Sequence, residues 1–345
     1  MRILVMHSGG TISCEEKNGV LTPSLDIKPE FDMIKKHISG VSFTHKKLTP
    51  FLSEYLNGVT VSRIVKEIKK AVSSEKYSGI ILTHGSDTLA YTAATLGYAL
   101  GVSCMPVVCV CADLPLSHPN SSGHINLLAA VALIASGEAK GVFSVYRTSE
   151  TAASVLRATR ILRYRAYESE LTSCTQPYGA IDLSSLLTDK KSRFISPQTP
   201  IFIKNTLYQE RADELSPLKV NLKKTCPITY LTVTPGMKYP SLRRGCKAVI
   251  LGSYHSGTLD TSSEETKRFA RVCKRKGIPV FVDGTGLTAD YESMLAYKEL
   301  GLTRLPPLSS PVAMYMKLWL LTENGVSSLT GAIKSSLCGD IPPKV

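Results

Sequence analysis

Apolar residues come along this chain in short unbroken runs, separated by stretches in which they recur at helical spacing. Ile3–Met6, Ile80–Thr83, Pro106–Val110 and Gly141–Tyr146 have the length and apolar content of buried strands. Between them, Ile64, Val65, Ile68 and Val72 mark one face of a helix over about 61–73, with lysines interspersed. Alanine-rich Leu89–Leu100 predicts a second helix. Asn126–Ala135 predicts a third, introduced by Asn120-Ser121-Ser122-Gly123. Regular alternation of strand, loop and helix predicts a mainly parallel α/β sheet flanked by helices on both faces. From about Asp182 to Cys226 the pattern dissolves into Ser, Thr, Pro and Lys, with only Ile201–Ile203 strand-like. After Pro227 it returns, with strands at Ile228–Val233, Ala248–Leu251 and Pro279–Val282 and helices at Glu264–Lys274 and Pro311–Glu323. The expected organisation is a two-domain α/β protein: a larger N-terminal domain over 1–190, a linker over 191–226 and a smaller C-terminal α/β domain over 227–345. A chain of 345 residues is long enough to bury a core in each.

Composition narrows the class. Ala90–Ala112 carries no charge, but Gly97, Gly101, Ser103 and Pro106 divide it into a helix and a strand, which argues against a membrane span. The apolar start contains Arg2 and meets Gly9-Gly10 too soon for a targeting segment. Nine scattered cysteines, with no CxxC pair, fit a reduced cytoplasmic compartment; Cys109 and Cys111 read as small core hydrophobes and no metal site is expected. Lysine and arginine exceed the acids to give a net charge of +13. The basic residues are spread without an aromatic-interleaved stripe, so a basic solvated surface is the expected reading and a nucleic-acid partner is not.

Chemistry concentrates in two glycine-punctuated turns. The run Ile3–Met6 leads into His7-Ser8-Gly9-Gly10-Thr11, and Ile80–Leu82 leads into Thr83-His84-Gly85-Ser86-Asp87-Thr88. Turns at the carboxyl ends of parallel strands face the crevice where ligands bind. A hydroxyl there, with a carboxylate from a neighbouring turn, suits nucleophilic catalysis. Read alone, Thr11 is a turn or cap residue and Asp87 the cap of the helix from Leu89. His84 is expected to orient its turn. Asp113 and Asn120 are expected chiefly as capping residues.

In these motifs the chain resembles the bacterial-type L-asparaginases and glutaminase-asparaginases. The resemblance rests on Ser8-Gly9-Gly10-Thr11-Ile12 and Thr83-His84-Gly85-Ser86-Asp87-Thr88-Leu89-Ala90-Tyr91-Thr92-Ala93, with support from Leu114-Pro115-Leu116, Gly123-His124-Ile125-Asn126-Leu127-Leu128, Gly141-Val142-Phe143 and Ser253-Tyr254-His255-Ser256-Gly257. It implies an amidohydrolase that splits the side-chain amide of L-asparagine or a related amide to acid and ammonia, without metal or cofactor. Thr11 would be the nucleophile, Ser86 and Asp87 would bind and activate, and Ser53, Glu54, Gly10 and Gly85 would bind substrate. Glu54 suits the α-ammonium group, because a carboxylate accepts from it. The resemblance also implies a homodimer or homotetramer, with the loop of Ser253, His255 and Thr258 reaching a neighbouring site.

Three departures bear on mechanism. Ser86 stands where the family commonly has threonine, and keeps the hydroxyl. Gly19-Val20-Leu21-Thr22-Pro23 lacks the loop tyrosine of many members. Arg160, after Thr159, stands where lysine is common; arginine stays protonated, so the expected role is an ion pair with Asp87 without proton shuttling. An alternative therefore stays open, a catalytically weak member that binds an amino-acid-like ligand as a sensor or regulator; a further one, a component of an amidotransferase acting on charged tRNA, rests on the net charge of +13 alone.

Overall fold

The computed structural model describes residues 1–22, 26–165, 168, 170–185, 201–284, 286 and 289–343. β1 (Arg2–Gly9) is followed by a hairpin of β2 (Glu15–Lys17) and β3 (Val20–Thr22). The hairpin turns through Asn18 and Gly19 at φ 53° and 76°, the left-handed pair that a two-residue hairpin loop requires. Next come β4 (Ser42–Phe51), β5 (Gly79–Thr83), β6 (Val107–Val110), β7 (Val142–Ser149), β8 (Ala152–Arg157), β9 (Gly179–Asp182) and β10 (Phe202–Lys204). With β1 they form one eight-stranded sheet in the order β10-β9-β8-β7-β6-β5-β1-β4. The five strands from β4 to β7 are parallel, and β8, β9 and β10 continue the sheet antiparallel.

The apolar runs explain the layering. Alternate residues of a strand face opposite sides. Accordingly Leu4, Met6, Ile80, Leu82, Val107 and Cys109 join one core, and Ile3, Val5, Ile81, Val108 and Val110 the other. Helices α1 (Lys28–His37), α2 (Gly58–Val72), α3 (Leu89–Leu100) and α4 (Ser122–Ser136) cover the two faces. The charge-free Ala90–Ala112 is split between α3 and β6, and no helix among the described residues is long and apolar enough to cross a membrane.

A second, four-stranded sheet is wholly parallel: β11 (Ile228–Thr232), β12 (Ala248–Gly252), β13 (Val280–Val282) and β14 (Leu302–Arg304). Helix α5 (Glu264–Arg275) packs on one face through Phe269, Ala270 and Cys273. On the other face Ile228, Ile250 and Phe281 merge into the first core, together with Met314 and Leu318 of α6 (Pro311–Glu323). The two sheets therefore share one continuous apolar layer.

The stretch read as a linker from its polar composition departs from that expectation where it is described; residues 186–200 lie outside the described residues. Phe202–Lys204 is an edge strand of the large sheet. Beyond it the Leu218 N–H donates to the Tyr98 carbonyl at 2.8 Å and the Leu222 N–H to Ser62 Oγ at 2.8 Å. The polar composition reflects a segment laid along α2 and α3 by its backbone, with many of its side chains exposed.

Candidate functional site

The site is built where three chain segments come into close contact at two glycines. β1 and β5 run side by side, with His7 opposite Thr83, and Ser8 Oγ donates to the Thr83 carbonyl at 2.6 Å. Beyond them Gly9 and Gly10 adopt φ of 104° and 90°, a region side chains avoid. A Cβ on Gly10 would stand 2.4 Å from the Gly85 nitrogen, and one on Gly85 would stand 2.3 Å from Ser53 Cβ. Glycine at both positions is thus what allows the Thr11 turn, the Ser53 turn and the Ser86-Asp87-Thr88 turn to meet.

Thr11 opens a single 3-10 turn, Thr11–Ser13, fastened by Ser13 donating from N at 2.9 Å and from Oγ at 3.1 Å to the Gly10 carbonyl. Thr11 is half-buried and Ile12 after it fully buried, so the core pins the turn. Ser53 opens a similar turn, Ser53–Tyr55, at the end of β4; Ser53 is buried and Glu54 exposed.

Ser53, expected to grip substrate, has its hydroxyl committed to the protein. Ser53 Oγ accepts from Thr88 N at 3.1 Å and pairs with Thr88 Oγ1 at 3.0 Å, while Thr88 Oγ1 donates to the Ser53 carbonyl at 2.9 Å. Asp87 does not cap α3: Thr88 holds the N-cap position and no side chain caps it. The exposed Asp87 carboxylate makes no hydrogen bond or ion pair among the described residues, and Ser86 beside it is half-buried. His84 fixes the turn as expected, with Nδ1 at 2.9 Å from the Gly85 carbonyl and Nε2 at 2.9 Å from Thr92 Oγ1. Burial lowers its pKa to about 4, so the ring is neutral at pH 7.

A cavity of about 960 Å³ opens beside these turns. Its lining includes Glu54, Asp87 and Thr88 together with Tyr91, Arg163 and Tyr164. Tyr230 and Thr232 of β11 and Tyr315 and Trp319 of α6 close it from the second sheet's side. Thr11, Ser86, Gly10 and Gly85 are not among the residues that line it. Trp319 is 6 % exposed and its Nε1 has no hydrogen-bond acceptor among the described residues, an uncommon state for a buried donor. Tyr230 donates to Asp283, whose carboxyl burial pushes above the usual range, and Asp283 Oδ1 accepts from Ser253 N at 2.9 Å. The Ser253 loop is thereby tied to the cavity wall.

The structure overturns the expected Arg160–Asp87 ion pair. Arg160 is 1 % exposed and points into the protein, where Nε donates to the Gly339 carbonyl at 2.6 Å, one terminal nitrogen to the Gln209 carbonyl at 2.7 Å and the other to Thr175 Oγ1 at 3.0 Å. Its guanidinium lies over the Tyr208 ring at 4.5 Å, and Thr159 Oγ1 donates to the Cys338 carbonyl at 2.7 Å. A planar group with donors on three sides is satisfied by acceptors from three separate segments, and none of its donors is directed to Asp87. Asp113 serves its loop, as the capping reading expected: it accepts from Leu114 N at 2.7 Å and Ser122 N at 2.8 Å and pairs with Arg147 at 3.4 Å.

Reading along the sequence missed Arg163, Tyr91 and Trp319 as cavity residues. Tyr91 lies within the second turn motif, and Arg163 stands three residues after Arg160; no local signal distinguishes it from the other arginines between 157 and 165.

A family model described as asparaginase, N-terminal, matches residues 2–182. A glutamyl-tRNA(Gln) amidotransferase subunit of Saccharolobus solfataricus is 24 % identical over 366 aligned residues, covering 99 % of this chain and 76 % of that protein. The protein of the same name from Sulfolobus acidocaldarius is 23 % identical, covering 98 % and 75 %. Among solved structures, the thermostable L-asparaginase of Thermococcus kodakarensis superposes with a TM-score of 0.74 at 20 % identity, covering 100 % of both chains. The probable cytoplasmic L-asparaginase of Campylobacter jejuni gives 0.72 at 18 %, covering 97 % of this chain and 99 % of that one. The likeness to these structures establishes the fold.

Proposed function

The chain belongs to the asparaginase family, and on that premise we propose that it is an amidohydrolase cleaving the side-chain amide of L-asparagine or a related short amide. Thr11 Oγ attacks the amide carbon, its proton ends on the amide nitrogen, which leaves as ammonia, and water then cleaves the threonine ester, releasing the acid and restoring the Thr11 hydroxyl. Asp87 and Ser86 bind and activate beside it, and Glu54 accepts from the substrate's α-ammonium group. The observation that carries this reading is the close approach of the Thr11, Ser53 and Asp87 turns at Gly10 and Gly85. With Arg160 held in the interior, its part is to fix the C-terminal segment, and no proton step runs through it. A cytoplasmic homodimer or homotetramer belongs to the same proposal.

Ammonia release from L-asparagine, followed for the wild type and Thr11→Ala, tests it. Steady turnover by the wild type that is lost in the variant supports the reading. Binding of L-aspartate without any ammonia release from the wild type favours a sensor or regulator instead.

The names of the relatives favour a second reading, in which the chain supplies amide hydrolysis within an amidotransferase that acts on glutamyl-tRNA. The net charge of +13 is compatible with an RNA partner. Binding to tRNA that weakens steeply with salt supports this reading, and absence of such binding rejects it.

A further inference from the structure

We propose that Asn18-Gly19, at the tip of the β2–β3 hairpin, is a site of spontaneous covalent modification, at which the Asn18 side-chain amide is lost and the backbone is rerouted through an isoaspartyl linkage. The chain holds three Asn-Gly pairs: Asn18-Gly19, Asn57-Gly58 and Asn324-Gly325. Glycine after asparagine leaves the next backbone nitrogen unshielded and the peptide free to turn, so that nitrogen can reach the asparagine Cγ. The step needs only water. The Gly19 nitrogen gives its proton to solvent and bonds to Asn18 Cγ; the bond from Cγ to the side-chain nitrogen breaks, and that nitrogen takes up a proton and leaves as ammonia. Water then opens the cyclic imide at either carbonyl. Opening at Cγ leaves a normal chain carrying aspartate, and opening at the main-chain carbonyl leaves a chain that runs through Cβ and Cγ. Both products carry a carboxylate where the amide stood.

The fold protects two of the three pairs. Asn57 caps α2: its Oδ1 accepts from Val59 N at 3.1 Å and Thr60 N at 3.2 Å, and its Nδ2 donates to the Tyr55 carbonyl at 3.3 Å. Gly58 is buried so tightly that a Cβ there would stand 2.0 Å from the Lys223 carbonyl oxygen. Asn324 Nδ2 donates to the Lys219 and Leu320 carbonyls, both at 2.8 Å, and the Gly325 N–H donates to the Thr322 carbonyl at 3.1 Å. Asn18 and Gly19 are both exposed, and among the described residues neither the Asn18 amide nor the Gly19 N–H has a hydrogen-bond partner. No atom lies within 4 Å of where a Gly19 Cβ would stand, and Asn18 sits at a φ of 53°, a conformation that side chains disfavour. Distorting the backbone for attack therefore costs least at Asn18. The product changes the hairpin. An isoaspartyl link adds a main-chain atom to a two-residue loop that sets the pairing of Lys17 with Val20 and Glu16 with Leu21, and it adds a negative charge beside Glu15 and Glu16. Only Cys14 separates this hairpin from the Thr11–Ser13 turn.

The test incubates the folded protein at neutral and mildly alkaline pH and maps its peptides by mass spectrometry, with isoaspartyl methyltransferase as the reagent that counts isoaspartate. The Asn18 peptide is expected to gain about one dalton and to become a methyl acceptor, faster at the higher pH. Its rate should exceed those at Asn57 and Asn324 by more than about a hundredfold, because a hairpin tip opens at almost no cost and a helix cap does not. In the urea-denatured chain the three sites should react at similar rates, which assigns the selectivity to the fold. Asn18→Gly keeps a loop sequence suited to the same turn and should abolish the modification with thermal unfolding unchanged. Thr11→Ala should be modified at the wild-type rate, since the step draws on no group of the proposed active site, and this arm holds whether or not the protein hydrolyses L-asparagine. A folded protein whose Asn18 stays intact while the denatured chain reacts there overturns the proposal. So does a folded protein in which Asn57 or Asn324 keeps pace with Asn18, or a rate at Asn18 that falls in Thr11→Ala.

Discussion

Ser53 and Thr88, 35 residues apart in sequence, close on each other through three hydrogen bonds that use both hydroxyls, the Thr88 N–H and the Ser53 carbonyl. This lock holds the turn bearing Glu54 against the turn bearing Asp87. Ser53→Ala keeps the Cβ and strips the Thr88 amide of its acceptor, a loss of about 1–3 kcal/mol for a partly buried donor. Chemical denaturation should show that decrease, with activity falling as the two turns separate. An unchanged unfolding free energy would mean that water replaces the hydroxyl without cost.

Gly10→Ala and Gly85→Ala each put a methyl group inside the contact distance of a neighbouring turn, against the Gly85 nitrogen and Ser53 Cβ respectively. Gly10 carries the further strain of its positive φ. Both variants are expected to lose activity by more than about a hundredfold, since a misplacement of an ångström near reacting groups has that effect. Wild-type turnover in either would show that the turns need not touch.

Thr11→Ala should lower kcat by at least about a thousandfold, as removal of a nucleophile does, with the thermal midpoint within a degree or two. Asp87→Asn should lower turnover with little effect on folding, because the carboxylate has no protein partner among the described residues whose loss would register. A stable Thr11→Ala protein with more than about a tenth of the wild-type rate would remove Thr11 from the chemistry.

Arg160→Met and Arg160→Lys should both destabilise. Each leaves acceptors of the Gly339, Gln209 and Thr175 triangle without donors in a buried site, at a cost of about 3 kcal/mol or more. If Arg160 governed Asp87, the lysine variant would instead be as stable as the wild type and faster. Denaturation midpoints and ammonia release measured on the same samples distinguish the two.

His84 and His7 set an acid limit. Burial is the main cause that lowers both, to about 4, with His45, at 3.0 Å from His7, adding to the second. A histidine kept neutral in the folded state binds its proton in the unfolded state first. Stability from these groups is therefore complete above about pH 6.5 and lost as pH falls from there toward 4, by up to about 1.4 kcal/mol per unit for each. His124 is raised, chiefly by its hydrogen bond with Glu30, and acts on the other side of that window. His84→Gln should flatten the slope of unfolding free energy between about pH 4 and 6.5; a slope unchanged in the variant would show that His84 is not the group.

The described strands and helices that are legible in the sequence share one property: their signal is local. Ile3–Met6, Ile80–Thr83 and Pro106–Val110 are buried on both faces, so the runs are unbroken and readable. β4 escaped because it is an edge strand, half-exposed along Ser42–Phe51, with lysines and threonines where a central strand has valines. The antiparallel β8 and β9 escaped because they join the sheet through partners, and nothing in their short sequences states that.

The same division holds at the site. Glycine before a hydroxyl at a strand end is written in the chain, so the sequence alone determined that Gly10, Thr11, Gly85, Ser86 and Asp87 form two turns on the carboxyl side of a parallel sheet. Which groups those turns leave free was decided only by tertiary structure. The Ser53 hydroxyl goes to Thr88, and the Arg160 guanidinium goes to a carbonyl 179 residues away. Arg163 is left at the cavity wall by hydrogen bonds from Ser310 and to Thr172. The physical reason is that a polar side chain is claimed by whichever partner the fold brings within about 3 Å, and for these residues that partner comes from a distant part of the chain.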